Sequence, residues 1–220
     1  MFLKEGEKNE KSIFFLLIFL FLWVINLSAS IISWSGNIEK TSEPNDLSLG
    51  AYESSEYIRV FDEKQNYVLE EDLYVDLFVT TGGIFDSEDD LTSGTIPAGT
   101  HINSHLVHFD PIDYNTTILE GSITFDQKII GVILKLDSLQ NSDFLGFADT
   151  FDDGSLRGLE LWGQDWFEIS DDLKTLSMHL YTDVHLDNIR ILTKVPIPST
   201  LLLLGSGLFG LVGMRKRFKK

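Results

Sequence analysis

The chain of 220 residues contains 34 acidic and 17 basic side chains, 43% hydrophobic residues and no cysteine. The lack of cysteine excludes disulfide bonds, so a folded domain must depend on its own apolar core. Residues 31–194 hold 31 acids against nine bases, hence a formal charge of −22. Such a field repels nucleic-acid phosphates and anionic lipid headgroups, so we expect no nucleic-acid partner.

The N-terminal segment has the pattern of a secretory signal peptide. Three lysines precede an unbroken apolar stretch at residues 13–25, and small residues follow at positions 28–30. Signal peptidase cleaves after this order of basic, apolar and small residues. We therefore expect residues 1–30 to be a signal peptide. The alternative is an uncleaved anchor, which polar residues such as Ser33 and Asn37 disfavour.

Residues 31–194 predict an acidic, all-β domain without a helical segment. Runs rich in β-branched and aromatic residues recur between turn-forming residues, and apolar and polar residues alternate at 176–181. The predicted strands cover residues 57–61, 73–80, 102–109, 121–125, 129–136, 159–161, 176–181 and 189–193. Short strands at this spacing favour an antiparallel β-sandwich with a jelly-roll-like arrangement.

Two acidic loops make calcium an alternative to a domain without cofactors. Hard oxygen ligands on a turn are what calcium requires. Neither loop has the residue spacing of an EF-hand, and a domain of this charge carries acidic loops in any case. The candidate ligands are Asp86, Glu88 and Asp90 in the first loop, and Asp149, Asp152 and Asp153 in the second.

Three histidines raise the question of a zinc site. His101, His105 and His108 would line one side of a helix, but the local sequence predicts a strand. In a strand His101 and His105 share a face and His108 points the other way, so three-point coordination is not expected. We interpret them as solvated or cross-strand histidines.

The segment around residue 165 contains the candidate sugar-binding side chains. Aromatic rings offer a flat apolar surface to a sugar ring, and amide and carboxyl groups accept hydroxyl hydrogen bonds. The competing interpretation places the tryptophans in the core. A glycoside hydrolase would pair carboxylates such as Glu160 and Asp165 across a cleft, which the sequence does not establish, so we expect no catalytic residues. The candidate binding residues are Trp162, Gln164, Asp165 and Trp166.

The C-terminal segment, residues 195–220, predicts a membrane helix followed by a basic tail. Residues 195–214 are uncharged, and five basic residues follow. Pro196 and Pro198 restrict the helix to residues 199–214, a short span. The basic tail should remain cytoplasmic while the central domain lies outside.

This tail resembles the PEP-CTERM sorting signal in its V-P-x-P form. The residues that carry the resemblance are Val195, Pro196, Ile197, Pro198 and Ser199, then a Leu- and Gly-rich span, then Arg215, Lys216 and Arg217. The resemblance implies recognition by an exosortase, a membrane thiol protease or transpeptidase that cuts near the prolines. Ile197 stands where the family usually has Glu, so the chain is similar to the apolar variant. Blocks at residues 121–126 and 187–193 are similar to exported PEP-CTERM proteins of unassigned function, which implies a sandwich domain without an assigned activity.

We therefore expect an exported protein that signal peptidase and an exosortase process in turn. The C-terminal helix would anchor it in the inner membrane before delivery to the cell surface or the extracellular matrix. Its expected role is structural or adhesive and not enzymatic. The alternatives are a carbohydrate-binding module of the exopolysaccharide matrix and a calcium-dependent or hydrolytic enzyme.

Overall fold

The computed structural model describes residues 31–112, 116–152, 154, 157–161, 164–182 and 185–195, all within one compact unit, Ser28–Pro196. The predicted signal peptide and the predicted helix at 199–214 lie outside the described residues. The strands are β1 (Ile31–Gly36), β2 (Ile38–Thr41), β3 (Asp46–Leu47), β4 (Ile58–Asp62), β5 (Tyr67–Val68), β6 (Leu73–Val75), β7 (Leu77–Phe78), β8 (Gly83–Phe85), β9 (Gly94–Ile96), β10 (His101–Phe109), β11 (Thr117–Phe125), β12 (Ile129–Ile133), β13 (Thr150–Phe151), β14 (Trp166–Ile169), β15 (Thr175–Thr182) and β16 (Asp187–Lys194). They are accompanied by helix α1 (Leu136–Asn141) and by 3₁₀ helices at Glu88–Asp90 and Asp143–Leu145.

Two larger sheets organise these strands. A five-stranded antiparallel sheet has the order β1-β11-β15-β14-β8. A seven-stranded sheet has the order β2-β4-β10-β16-β12-β7, and β5 pairs with β10 beside this path. The β-rich, mostly antiparallel architecture that the sequence predicts is confirmed. Two pairs, β2 with β4 and β13 with β3, are parallel, so a wholly antiparallel arrangement is wrong.

The largest apolar cluster draws side chains from both of these sheets. The five-stranded sheet contributes Ile123 and Phe167, and the seven-stranded sheet contributes Val107 and Ile191, all fully buried. Strand β15 shows why one side of each sheet forms the core: its residues alternate between buried and half-buried along the strand. An apolar and polar alternation directs one side of a strand to the core.

The other side of the seven-stranded sheet is also covered. Its apolar residues, such as Ile102 and Leu192, pack with Leu139 of α1 and with Leu73 of β6. Strands β10 and β16 are therefore buried on both faces over most of their length. This covering layer brings polar groups into the interior.

A buried ionic network attaches the covering layer to the sheet. Arg190 of β16 is fully buried, and its Nε and Nη2 donate to the two carboxylate oxygens of Glu63 at 2.8 Å each. Arg190 also donates to Asp143, which accepts two further bonds of 2.7 Å from Arg157. Burial by itself would lower the pKa of Arg190, but Glu63 and Asp143 raise it. The guanidinium thus remains charged inside the protein.

Some local predictions are wrong for identifiable reasons. Residues 159–161 form no strand, because Leu159 and Leu161 fill the core from an irregular segment. The predicted strand at 73–80 divides at Asp76, a buried side chain that accepts from the backbone N of Leu134 and Lys135 and from Ser138 Oγ. Asp76 thereby holds the start of α1, a helix that the sequence analysis missed. The sequence also did not predict β1, β2, β3, β5, β8, β9, β13 and β14.

Candidate functional site

The side of the five-stranded sheet that faces away from the core carries a cross-strand row of polar and aromatic residues. Glu120 of β11 lies opposite His179 of β15, and His179 lies opposite Trp166 of β14. Residues directly opposite each other in an antiparallel pair point to the same side of the sheet. Pairing of three strands therefore assembles this row from distant parts of the sequence.

The rings of Trp166 and His179 are stacked within this row. Their centroids lie 5.9 Å apart with an interplanar angle of 14°. His179 Nε2 lies 3.6 Å from Glu120 Oε1 on the other side. His179 is thus held between an aromatic ring and a carboxylate, while Trp166 remains partly exposed. An aromatic ring fixed in this way presents a preorganised apolar surface.

Asp165 adds a carboxyl group at the start of β14. Its Oδ1 accepts from the backbone N of Tyr181 at 2.6 Å. Burial raises the pKa of Asp165 to about 6, and the charge of Glu160 raises it further while His179 and the Tyr181 hydrogen bond oppose the shift. A half-buried carboxyl can exchange hydrogen bonds with hydroxyl groups. We name Glu120, Asp165, Trp166, His179 and Tyr181 the Trp166 face.

The structure brings together only part of the predicted sugar-binding set. Asp165 and Trp166 are consecutive, half-buried residues, and Gln164 lies exposed just before them. Trp162 lies outside the described residues. Phe167, the residue after Trp166, points to the opposite side of the sheet. It stacks on Phe85 in the core, with ring centroids 4.9 Å apart. The sequence-based candidates did not include Glu120 and His179. The available signal was the alternation of apolar and polar residues along β11 and β15, which places both on the side of the sheet away from the core.

The acidic loops supply no converging set of metal ligands among the described residues. Glu88 Oε2 pairs with Lys135 Nζ at 2.7 Å, and Asp90 Oδ2 accepts from Ser87 N in a capping box. Asp86 and Asp149 are exposed on their loops. Asp152 Oδ1 accepts from Gly154 N at 2.7 Å, and Asp153 lies outside the described residues. Glu88, Asp90 and Asp152 are thus engaged in local hydrogen bonds and one ion pair.

The three histidines lie on a strand, as predicted, and do not converge. His105 packs on Phe125 with ring centroids 4.8 Å apart, whereas His108 faces Tyr52 and Phe61 on the other side of the sheet. His108 Nδ1 bonds to Asn188 Oδ1 across the strand pair at 2.9 Å. Burial lowers the pKa of His108 to about 4, so it is neutral. Of the interpretations offered for His105 and His108, the cross-strand one applies and the solvated one is wrong.

The described chain ends where the predicted sorting signal begins. Val195 follows β16, and its backbone N donates to His101 O at 3.4 Å. The rest of the predicted signal, including Pro196, Ile197, Pro198 and Ser199 and the basic residues Arg215, Lys216 and Arg217, lies outside the described residues.

Comparison with protein families identifies a PEP-CTERM protein-sorting motif at residues 194–217. The chain carries an exosortase sorting signal. The motif implies export, a membrane-anchored sorting signal and an exosortase as the processing partner. No curated protein and no solved structure matches the chain. The described part of the chain contains no helix with the length and apolar character needed to cross a bilayer.

Proposed function

We propose that the chain is an exported surface or matrix protein with a structural or adhesive, non-enzymatic role. The observation that carries this proposal is the position of the sorting motif, which begins at the last residue of β16. Cleavage near the prolines would leave every strand of the described domain intact. The proposed mature form is therefore the acidic domain alone, without the sorting tail.

We place this role on a jelly-roll-like β-sandwich formed by the two larger sheets. Their shared apolar core supports the sandwich, and the buried network around Arg190 supports a rigid domain. Rigidity suits a component that bears load or spaces other molecules.

The routing is tested by replacing both prolines of the motif in the producing organism. The Pro196→Ala/Pro198→Ala variant should accumulate in the membrane fraction with its basic tail attached, as intact mass would show. A Pro97→Ala variant serves as the matched control, because it removes a proline from a loop of the domain. Unchanged processing of the double variant would overturn the proposal.

A second candidate function is carbohydrate binding by the Trp166 face. The partly exposed indole of Trp166, stacked on His179, is the observation that favours this candidate. Stacking would hold a sugar ring on the indole, and Asp165 and Gln164 would exchange hydrogen bonds with its hydroxyl groups. The row is open to a chain that runs along the sheet surface.

This candidate is tested with the full chain in a nonionic detergent and the purified exopolysaccharide of the producing organism. Trp166→Ala should weaken binding about tenfold, which corresponds to about 1.4 kcal/mol. Trp34→Ala is the matched control. Trp34 is 47% exposed on β1, but it lies opposite the buried Ile123 and therefore points to the other side of the sheet from Trp166. An equal loss in both variants, or no binding by the unmodified chain, would contradict this candidate.

A further inference from the structure

A cleft of about 580 Å³ lies in the layer that covers the seven-stranded sheet. Its size falls in the range of small-molecule sites. Strand β5, the turn before β6, helix α1 and the 3₁₀ helix that follows α1 form its walls. The lining residues are Tyr67, Glu70, Glu71, Asp72, Leu73, Tyr74, Ser138, Asn141 and Phe144.

Three aromatic rings give this cleft its apolar surface. Tyr67 and Phe144 lie 5.9 Å apart between ring centroids with an interplanar angle of 50°. Phe144 is 45% exposed and Tyr74 is 52% exposed. Both rings are therefore accessible to a ligand in the cleft. The buried Leu73 also lines the cleft.

Three carboxylates make the cleft acidic. Asp72 is held in place, because its Oδ1 accepts from Ala98 N at 2.9 Å. Glu70 and Glu71 are exposed, and no other described residue forms an ion pair or hydrogen bond with either carboxylate. The lining contains no basic residue. The site therefore complements a positive charge.

One ammonium group already occupies the edge of this arrangement. Lys64 Nζ lies 5.3 Å from the centre of the Tyr67 ring and donates to Phe144 O. An ammonium over an aromatic face is a favourable cation–π contact. The aromatic rings at the edge of the cleft thus accommodate a protonated amine. The unpaired carboxylates of Glu70 and Glu71 remain available to a second ammonium group.

We propose that this cleft binds an amine-bearing sugar of the glucosamine type, as a unit of a cationic polysaccharide. The aromatic rings would stack on the sugar ring, Glu70 and Glu71 would pair with its ammonium group, and Asn141 would hydrogen-bond to a hydroxyl group. A metal ion fits less well, since no described group of three His, Cys, Asp or Glu side chains can hold one. The proposal requires export but does not depend on the Trp166 face.

The test uses the full chain in a nonionic detergent and calorimetric titration with a chitosan tetramer, whose amines are free. The N-acetylated chitin tetramer has the same rings without the charge, and tetralysine has the charge without the rings. We expect at least tenfold tighter binding of the chitosan tetramer than of either comparison ligand. Equal binding of the chitin tetramer, equal binding of tetralysine, or no binding of chitosan would each overturn the proposal.

Two variants locate the binding in the cleft. Glu70→Gln/Glu71→Gln should weaken chitosan binding about fivefold, because two solvent-exposed ion pairs with the ammonium group are lost and each contributes modestly. Tyr74→Ala should weaken it by a similar factor. Asp89→Asn/Asp171→Asn removes the same charge from exposed positions elsewhere and should have no effect.

Trp166→Ala separates this proposal from the second candidate function. It should leave chitosan binding unchanged, and a loss in this variant would move the site to the Trp166 face. The Asp89→Asn/Asp171→Asn variant could also lose as much binding as Glu70→Gln/Glu71→Gln. That result would show that binding depends only on the net charge of the protein, and it would contradict a binding site in the cleft.

Discussion

The two sheets differ in what lies on the side that faces away from their shared core. On the five-stranded sheet that side carries half-exposed polar residues, with hydroxyl pairs such as Thr124 and Thr175 at 3.1 Å across the strands. On the seven-stranded sheet it is buried beneath α1 and loops, and it carries Arg190 in a full set of hydrogen bonds. The same strand alternation thus produces a solvent-facing side on one sheet and an interior on the other. The covered side contributes to stability, and the open side carries the Trp166 face, for which we propose carbohydrate binding.

The strongest test of this contrast uses two neighbours on β14. Phe167 is fully buried, and Trp166 is partly exposed on the open side. Phe167→Ala should lower the free energy of unfolding by about 4 kcal/mol, the cost of a cavity in a packed core. Trp166→Ala should lower it by less than about 1 kcal/mol. Chemical denaturation measures both, and similar losses would break the contrast.

The contribution of the covered side to stability is tested by breaking the ion pair between Arg190 and Glu63. Glu63→Leu should destabilise the domain by about 3 kcal/mol, because Arg190 then keeps a buried charge with fewer partners. The exposed Glu168 on the open side provides the matched control, and Glu168→Leu should change stability by less than about 0.5 kcal/mol. The double variant Glu63→Leu/Arg190→Met should recover part of the loss. A Glu63→Leu domain as stable as the Glu168→Leu domain would contradict a structural role for the network.

A smaller effect sharpens the description of the open side. The pKa of Asp165 is raised from an ordinary value near 3.8 to about 6 by burial. The folded state therefore binds more protons at this carboxyl than the unfolded chain, so its contribution to stability is full at low pH and is lost as pH rises through this interval. Relative to Asp165→Asn, the unmodified protein should lose about 1 kcal/mol between pH 4 and pH 6, after allowance for solvent screening. Denaturation at several pH values measures the difference, and a constant difference would show that Asp165 titrates normally.

The sequence predicts the longer strands well, because the runs around β10, β11, β15 and β16 combine β-branched residues with clear boundaries. It does not predict α1, whose six residues are held by Asp76 about sixty positions earlier. It also cannot reveal that His105 and His108 are buried, since the residues that cover them come from remote parts of the chain.

The candidate site shows the same limit. Asp165 and Trp166 are recognisable from their local composition. His179 joins them through strand pairing with Trp166, 13 positions earlier, and Glu120 joins through pairing with His179, 59 positions away. Hydrophobic alternation gives the side of a strand on which a residue lies, but the register between distant strands depends on the whole fold. The sorting tail was recognisable because its information is local and linear.

The central claim is that this chain is exported and that an exosortase removes its tail. The most direct measurement is the intact mass of the protein recovered from the medium and from the membranes of the producing organism. We predict a mature form that lacks residues up to about position 30 and everything after the proline motif at 195–199. A single form that keeps residues 215–220 in both fractions would contradict the claim and define a permanently anchored protein instead.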